Sequence, residues 1–281
     1  MRHVLITGAT GGIGKATAIA LAKLNYKVTI HGRNIEKLEA TKKEIISQTK
    51  NSHVHTLLFD MASLKSIKSA LYGFLEENRS LDVLINNAGV SPYSKQITDD
   101  GFEMNFGVNN LATTLITKLL IPLLKESTDG RILVVASIAY AMGKFNKDDI
   151  ELSKRKYSMM NVYGTSKLYD IYIAGQFSEL LKDENITVNA LHPGIVKSAL
   201  FRDAKGLMKW INTLSAKLFY VTPQKGAETS VYLASSSDVK GITGKFFSNS
   251  KEKVLGSVAY NKENRDSTWQ RINKILDSID N

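Results

Sequence analysis

Short apolar runs alternate along the chain with longer stretches whose apolar positions recur at helical spacing. The apolarity of the short runs is continuous, which is typical of strands buried on both faces of a sheet. One of the helical stretches opens at Ser63, a residue type that caps helix N-termini. The pattern predicts buried strands at residues 4–6, 28–30, 54–59, 81–85, 132–135 and 186–191.

The alternation of strands and helices predicts the fold class. Strands separated by helices form crossover units and a parallel sheet, and no repeat or flexible linker divides the chain. We predict a single α/β domain of the Rossmann type, doubly wound, with about seven parallel strands and helices on both faces. Residues 1–250 form its main body, and residues 251–281 are a polar tail of the same domain. The tail ends in a predicted helix at 267–279, which either packs on the domain or serves a partner.

Composition narrows the class of protein. The chain has 281 residues, 43% of them hydrophobic and 23% charged, as in globular proteins. The absence of cysteine excludes disulfides, cysteine-ligated metals and a thiol nucleophile. The most apolar stretch, 111–124, is interrupted by Lys118 and Pro122 and falls short of the roughly 18 residues of a membrane helix. The N-terminus lacks a signal-peptide pattern, so we expect a cytoplasmic protein without a membrane span.

The net charge of +10 raises the question of a nucleic-acid partner. The basic residues are scattered rather than gathered into a stripe, and many fall on predicted solvated helix faces. We therefore expect no nucleic-acid partner, and we assign the charge to surface solvation or an anionic cofactor.

A glycine-rich turn follows the first predicted strand and opens the first helix. Gly8, Gly12 and Gly14 are spaced Gly-x-x-x-Gly-x-Gly. Such a turn lets the backbone approach a pyrophosphate, whose charge then faces the positive end of the helix. The position directly after a buried strand meets the structural context that this motif requires. The turn therefore predicts a dinucleotide site.

The end of the second strand indicates which dinucleotide binds. A site for NAD usually has an acidic residue there, which bonds the ribose 2′-hydroxyl, but residues 31–34 contain none. Arg33 can instead hold a 2′-phosphate through charge-assisted hydrogen bonds, and Lys15 could add a second positive charge. The alternative is a plain surface arginine at a helix start. NADP(H) is the favoured cofactor.

Tyr163 and Lys167 are four residues apart, on one face of a predicted helix. An unperturbed tyrosine has a pKa of about 10, and a nearby ammonium favours the phenolate form. The pair is therefore suited to proton transfer at a carbonyl oxygen, although the spacing is common by itself. Ser137 and residues 86–89 lie at the ends of two further strands. Open α/β sheets bind ligands at such carboxyl ends.

Together these motifs resemble the short-chain dehydrogenase/reductase family. The glycine turn, Asn-Asn-Ala-Gly at 86–89, the serine at a strand end and Tyr-x-x-x-Lys occur in the family's order, followed by the Pro-Gly at 193–194. The resemblance covers roughly residues 2–250. It implies Tyr163 as the acid–base residue, Ser137 as the group that orients the carbonyl, and Lys167 as a ligand of the nicotinamide ribose. Asn109 matches the asparagine that supports a water relay to the lysine.

The resemblance also implies the cofactor contacts. Asp60 matches the residue that bonds the adenine, and Asn87 lies beneath the cofactor. Val196 and Ser198 would hold the carboxamide, although the family usually has threonine where Ser198 stands. The full set of implied cofactor-binding residues is Gly8, Thr10, Gly12, Ile13, Gly14, Arg33, Asp60, Met61, Asn87, Ala88, Gly89, Tyr163, Lys167, Pro193, Val196 and Ser198.

Further segments resemble the retinol dehydrogenase-like branch of the family, namely 59–64, 107–111, 222–227 and 244–247. A charged insertion at 144–158 also resembles this branch, and it is either a lid over the substrate pocket or surface decoration. Residues 200–221 are rich in large apolar side chains. They either lie over the substrate or form an ordinary amphipathic helix.

The resemblance implies an oxidoreductase that interconverts an alcohol and an aldehyde or ketone, on a lipophilic small-molecule substrate. It also implies a dimer or tetramer. The alternative is a catalytically silent NADP(H)-binding sensor, although such proteins usually lack the tyrosine or lysine that this chain keeps. A neighbouring branch of light-driven pigment reductases depends on a cysteine that is absent here. His53 and His55 alternate on one strand without an evident third ligand, so no metal is expected.

Overall fold

The computed structural model of the chain describes residues 1–194 and 221–279. Two implied cofactor ligands, Val196 and Ser198, lie outside the described residues. The same holds for nearly all of the apolar segment expected over the substrate, since its residues 200–220 are not described.

The sheet has eight strands in the order β3-β2-β1-β4-β5-β6-β7-β8. All neighbouring pairs are parallel except the last. The strand order reverses between β1 and β4. From β1 the sheet continues through β2 to β3 on one side, and from β4 it continues through β5 to the later strands on the other. The strands are β1 His3–Ile6, β2 Lys27–Gly32, β3 Val54–Leu58, β4 Val83–Asn86, β5 Gly130–Val135, β6 Ile186–His192, β7 Phe246–Ser248 and β8 Lys251–Glu252.

The predicted α/β Rossmann-type fold is confirmed, with one strand more than expected. The extra strand, β8, pairs antiparallel with β7 through a two-residue turn. Both turn residues, Asn249 and Ser250, have positive φ angles of 52° and 59°. This geometry matches the twist of a tight hairpin. The strand escaped prediction because its two residues are polar and exposed, and therefore carry no apolar signal.

Helices cover both faces of the sheet. They are α1 Gly12–Lys23, α2 Ile35–Thr49, α3 Leu64–Glu77, α4 Thr113–Lys125, α5 Met159–Leu180, α6 Pro223–Ser235 and α7 Lys262–Ile279. Side-chain caps open several of them. The predicted cap at Ser63 is confirmed, because its hydroxyl accepts the N–H of Ser66, and Asn34 caps α2 in the same way.

Alternating residues of each strand point to opposite faces of the sheet and contribute to two hydrophobic cores. In β1, Leu5 belongs to the core under α3, α4 and α5, whereas Val4 and Ile6 belong to the core under α1, α2 and α6. All three side chains are fully buried. Burial on both faces explains the continuous apolar runs of the sequence.

A long apolar helical run passes through the first of these cores. The π-helical segment Phe106–Ala112 continues directly into α4. The combined run Phe106–Lys125 is long and apolar enough to cross a membrane, and 78% of its most apolar window is buried inside the structure. Core helices of folded domains pass the same test, so the run is weak evidence for a membrane span.

The C-terminal helix α7 packs on α5. It begins at Lys262, five residues before the predicted start, and the ring of Trp269 meets Phe177 edge-on with centroids 5.0 Å apart. Ile272, Ile275 and Leu276 are buried in the core. Of the two roles considered for the tail, the contacts favour packing on the domain.

Replacing Ile272 with alanine should lower the free energy of unfolding by about 2–5 kcal/mol, because a fully buried side chain would leave a cavity. Urea unfolding of the whole chain measures the change. Gln270→Ala, at an exposed position of the same helix, is the matched control. Equal effects of the two substitutions would contradict the packing of α7 on the core.

Candidate active site

The candidate site lies where β1, β4 and β5 end at the carboxyl edge of the sheet. Thr7 directly follows β1 and Asn87 directly follows β4. Ser137 is separated from the end of β5 by one residue. Because β1 and β4 are neighbours at the reversal of strand order, the chain segments that leave them diverge. A crevice forms at such a point in open α/β sheets.

The glycine turn joins β1 to α1 and packs against the segment after β4. Gly8 has a φ angle of +66°, and a Cβ atom added there would lie 2.9 Å from the Cα of Ala88. Both facts require glycine at this position. Gly12 also has a positive φ, but no heavy atom lies within 4 Å of the position its Cβ would take. The backbone therefore offers open space at the start of α1.

A set of hydrogen bonds fastens the ends of β1 and β4 together. The hydroxyl of Thr7 accepts the N–H groups of Asn87 at 2.9 Å and Ala88 at 3.0 Å. In return, Nδ2 of Asn87 donates to the carbonyl oxygens of Thr7 at 2.8 Å and Gly8 at 3.2 Å. We call this set the Thr7–Asn87 latch. It fixes three of the implied cofactor contacts, Gly8, Asn87 and Ala88, relative to one another.

The start of α1 fits an anionic group. Its N-cap is Gly11, which offers no side-chain hydrogen bond, and the first turn contains no acidic residue. The first N–H groups of a helix lack internal partners and carry a partial positive charge. The open space beside Gly12 and these N–H groups suit a pyrophosphate.

An exposed arginine, Arg33, follows the end of β2. Arg33 is exposed and donates no hydrogen bond to the described parts of the chain. Lys15, considered as a second cation, instead has its Nζ 2.9 Å from Oε2 of Glu44. The ammonium that could add a second positive charge thus forms a partly exposed ion pair with Glu44.

His31 links the glycine turn to the end of β3. Gly8 donates its N–H to Nδ1 of the imidazole at 3.1 Å, so Nε2 carries the proton and donates to the carbonyl oxygen of Phe59 at 3.0 Å. The ring stacks on Phe59 with centroids 3.7 Å apart. Burial lowers the pKa of His31 to about 4. Sequence reasoning missed this role, since a single histidine carries no pattern.

Asp60 and Met61 follow β3 at the same edge. Oδ1 of Asp60 accepts the N–H of Ala62 at 2.9 Å, and the N–H of Asp60 donates to Ser66 at 3.1 Å. The aspartate thus shapes the turn into α3, and Met61 is buried in the core.

The catalytic candidates on α5 come together with the end of β5. Tyr163 is nearly buried, and Nζ of Lys167 lies 5.8 Å from the centroid of its ring. The short helical turn Ile138–Met142, which follows Ser137, packs on α5 at Gly164. A Cβ atom at Gly164 would lie 2.6 Å from the carbonyl oxygen of Ala139. Glycine next to Tyr163 therefore lets the serine loop reach the helix.

Asn109 ties the π-helical segment to the same helix. Its Nδ2 donates to Oγ of Ser166 at 2.9 Å, and its Oδ1 accepts the N–H of Val90 at 2.8 Å. Ser166 in turn donates to the carbonyl oxygen of Tyr163 at 2.8 Å. The side chain of Asn109 is buried and its hydrogen-bonding groups are engaged, so it holds α5 and the segment after β4 in register.

Lys167 is buried in an ion pair that sequence reasoning missed. Its Nζ donates to Oδ2 of Asp170 at 2.8 Å and to the carbonyl oxygen of Val135 at 2.9 Å. Nδ2 of Asn110 donates to the other carboxylate oxygen of Asp170 at 2.9 Å. Burial by itself would lower the pKa of Lys167, but Asp170 and Tyr163 hold that pKa above its ordinary value. The available signal was an acid three residues after the lysine on a helix.

The pKa of Asp170 responds to the same surroundings. Burial raises it to about 6, against the opposing effects of Lys167 and Asn110. The carboxylate and the ammonium therefore depend on each other for their charges.

The segment after β6 contributes the last described part of the site. Pro193 and Gly194 follow His192, and Gly194 has a φ angle of +86°. Burial lowers the pKa of His192 to about 4, which fits a packed neutral imidazole.

The insertion at 144–158 is held by a buried ion pair. Nε of Arg155 donates to Oδ2 of Asp149 at 2.6 Å, and the N–H of Lys144 donates to Thr165 on α5 at 2.9 Å. Tyr157 adds a hydrogen bond to the carbonyl oxygen of Pro92. These contacts favour a fixed wall beside α5 over a mobile lid. Across residues 1–194 and 221–279, no cluster of three histidine, aspartate or glutamate side chains could hold a metal ion.

Comparison with known proteins identifies the family. The chain matches the short chain dehydrogenase family over residues 2–206 and belongs to it. It is 37% identical to Homo sapiens retinol dehydrogenase 13, over 98% of this chain and 84% of that protein. It is 39% identical to Homo sapiens retinol dehydrogenase 14, over 95% of this chain and 84% of that protein. The resemblance to the retinol dehydrogenase-like branch is thereby confirmed.

A solved structure supports the fold. The chain is similar to a Mycobacterium paratuberculosis protein, with a TM-score of 0.77 and 26% identity, over 98% of this chain and 92% of that one. Membership of the family makes the protein an NAD(P)-dependent oxidoreductase that acts on CH–OH groups. The cytoplasmic location and the dimer or tetramer stay predictions.

The neutral state of His31 predicts a pH-dependent stability. An unfolded histidine has a pKa of about 6.5, so between about pH 6.5 and 4 the unfolded chain binds more protons than the folded one. The free energy of unfolding must therefore fall as pH falls through this window. His31→Gln should remove about 2 kcal/mol of the fall between about pH 7 and 5, measured by urea unfolding at each pH.

His53→Gln is the matched control, because His53 is exposed. The two variants should differ in the pH dependence of stability even if both are less stable at neutral pH. A wild-type slope retained by His31→Gln would contradict the buried neutral imidazole.

Proposed function

We propose that the protein interconverts an alcohol and an aldehyde or ketone with NADP(H), and that Tyr163 is the general acid and base. The main support is the packing of Tyr163 and Lys167 on one face of α5, with Asn109 holding that helix to the segment after β4. This cluster lies at the carboxyl edge of the sheet, near the glycine turn that suits a pyrophosphate.

NADP(H), when bound, supplies or accepts the hydride. In this proposal the N–H groups at the start of α1 bind its pyrophosphate, Asp60 bonds the adenine, and residues 87–89 lie beneath it. Lys167 binds the nicotinamide ribose. Pro193, Val196 and Ser198 would serve the carboxamide side.

The proton moves between Tyr163 and the substrate oxygen. In the reductive direction the Tyr163 hydroxyl donates its proton to the carbonyl oxygen and becomes a phenolate. The ammonium of Lys167 stabilises the negative charge that forms on the tyrosine. The hydroxyl of Ser137 donates a hydrogen bond to the same carbonyl oxygen and orients it. In the oxidative direction each proton moves the opposite way.

The preference for NADP(H) rests on Arg33. Its guanidinium is exposed and unpaired within the described residues, and no acid at 31–34 competes for the ribose 2′-position. A 2′-phosphate would gain charge-assisted hydrogen bonds from it.

The proposed substrate is a lipophilic carbonyl or alcohol. The relatives at 37% and 39% identity are named as retinol dehydrogenases, and retinol is a large apolar alcohol. Ile138 and Met142, which follow Ser137, expose apolar surface beside the catalytic cluster. The alternative of a catalytically silent sensor gains no support from the described residues.

Replacing Tyr163 with phenylalanine should lower kcat at least about 100-fold, because the proton donor is lost while the ring is kept. NADPH affinity should change little. The assay follows NADPH absorbance with a panel of aliphatic, aromatic, retinoid and steroid carbonyls, and NADPH binding is measured separately. Tyr169→Phe is the control, since Tyr169 is a buried α5 tyrosine whose hydroxyl has no partner in the described structure. Full turnover by Tyr163→Phe would refute the proposed role.

Replacing Arg33 with alanine should weaken NADPH binding about 10- to 100-fold, because hydrogen bonds to a charged phosphate contribute about 1.5–3 kcal/mol. NADH, which lacks the 2′-phosphate, should bind almost unchanged. Titration calorimetry with each dinucleotide measures both. Lys37→Ala removes an exposed cation one turn along α2 and is the control. Equal losses for NADPH and NADH would rule out the 2′-phosphate contact.

A further inference from the structure

The ammonium of Lys167 has three N–H groups, and the described residues accept hydrogen bonds from two of them. One donates to the carbonyl oxygen of Val135 at the end of β5, and one donates to Asp170 on α5. Both side chains of the ion pair are almost completely buried, with 5% and 3% exposed. The remaining N–H group is the one available to the active site.

The charged surroundings of this pair are simple. From α5 itself, the titratable neighbours of Lys167 are Asp170 and Tyr163. The π-helical segment contributes the amides of Asn109 and Asn110, and β5 contributes only a backbone carbonyl. Gly89, after β4, brings uncharged backbone close to the ammonium. Within the described residues, Asp170 is thus the carboxylate that balances Lys167.

A lysine in this position holds its proton less firmly without a counter-charge. Burial disfavours the ammonium form, and a neutral amine could not stabilise a tyrosine phenolate. The carboxylate of Asp170 opposes this loss, and Asn110 holds the carboxylate in place from the other side. The distances of 2.8 and 2.9 Å leave little freedom in the position of Nζ.

We propose that Asp170 is a positioning residue that keeps the Lys167 ammonium charged and turns its remaining N–H group toward the active site. It acts through Lys167 and touches neither substrate nor cofactor. This inference rests on the proposed function for its catalytic consequence, but the state of the lysine can be read without substrate.

The test compares wild type with Asp170→Asn, which keeps the shape of the side chain and removes its charge. Lysine labelled with ¹³C at Cε reports protonation by its NMR shift, and Lys167→Met identifies the signal. The wild-type lysine should keep its proton up to its ordinary pKa of about 10.4 or beyond. In Asp170→Asn the titration should move down by at least about one pH unit. Unchanged titration in this variant would overturn the proposal.

Glu228→Gln is the matched control, because Glu228 pairs with Lys225 at the same sequence spacing but on the exposed surface of α6. It should leave the Lys167 signal unchanged. If Asp170→Asn does not fold, titration of the wild type decides alone. A wild-type Lys167 that loses its proton well below its ordinary pKa would show that Asp170 does not keep it charged.

Kinetics separate positioning from a merely structural role. In Asp170→Asn the kcat of carbonyl reduction should fall at least about tenfold, while KM for the carbonyl changes less than about threefold. The alkaline limb of the profile of kcat against pH should move to lower pH. A purely structural role would lower the melting temperature without moving that limb. The wild type could show no turnover while the titration of Lys167 is still shifted in Asp170→Asn. That result would count against the proposed function and would leave the role of Asp170 supported.

Discussion

The ammonium of Lys167 lies almost entirely out of contact with water, and several parts of the fold must be in place before it can lie there. The end of β5 supplies a carbonyl oxygen, α5 supplies Asp170, and the π-helical segment supplies Asn110 to the carboxylate. Removing one partner of a buried ion pair usually costs about 3–5 kcal/mol, since a bare charge is left behind. The lysine therefore joins three elements of the fold as well as serving the proposed chemistry.

The irregular helix before α4 takes part in the same set of contacts. Two consecutive residues, Asn109 and Asn110, both reach Ser166, one at its hydroxyl and one at its carbonyl oxygen. Consecutive positions of a regular α-helix point about 100° apart, so they rarely contact one residue of a neighbouring helix. The wider π-helical turn at Phe106–Ala112 accompanies this double contact. Irregular helical turns of this kind are frequent at functional sites.

The fold and part of the site could be predicted because they follow from local patterns. Buried parallel strands are continuously apolar, and the glycine turn, Tyr163 and Lys167 have fixed spacings. Asp170 was missed although its spacing of three residues from Lys167 on one helix was a signal. Asn110 and His31 could not be predicted in their roles. Their partners lie on other elements, such as Gly8 and Phe59 for His31, and no spacing in the chain records such a contact. Strand β8 was missed for another reason, because its pairing is made by backbone groups and its side chains are exposed.

The cofactor half and the proton-transfer half of the site are held by different kinds of interaction, and the two halves therefore respond differently to pH. The cofactor half is fastened by neutral groups, namely the Thr7–Asn87 latch and the imidazole of His31. Acid weakens this half, because a protonated imidazole could no longer accept the hydrogen bond from the N–H of Gly8. The proton-transfer half depends on the charges of Lys167 and Asp170. Alkali disrupts this half by removing the ammonium proton of Lys167. The groups that fasten the glycine turn carry no charge that alkali removes, so loss of catalysis at high pH need not be accompanied by loss of the cofactor. Alkali thus affects the chemistry before cofactor binding, whereas acid acts on both halves, because Asp170, with a pKa of about 6, takes up a proton before His31, with a pKa of about 4.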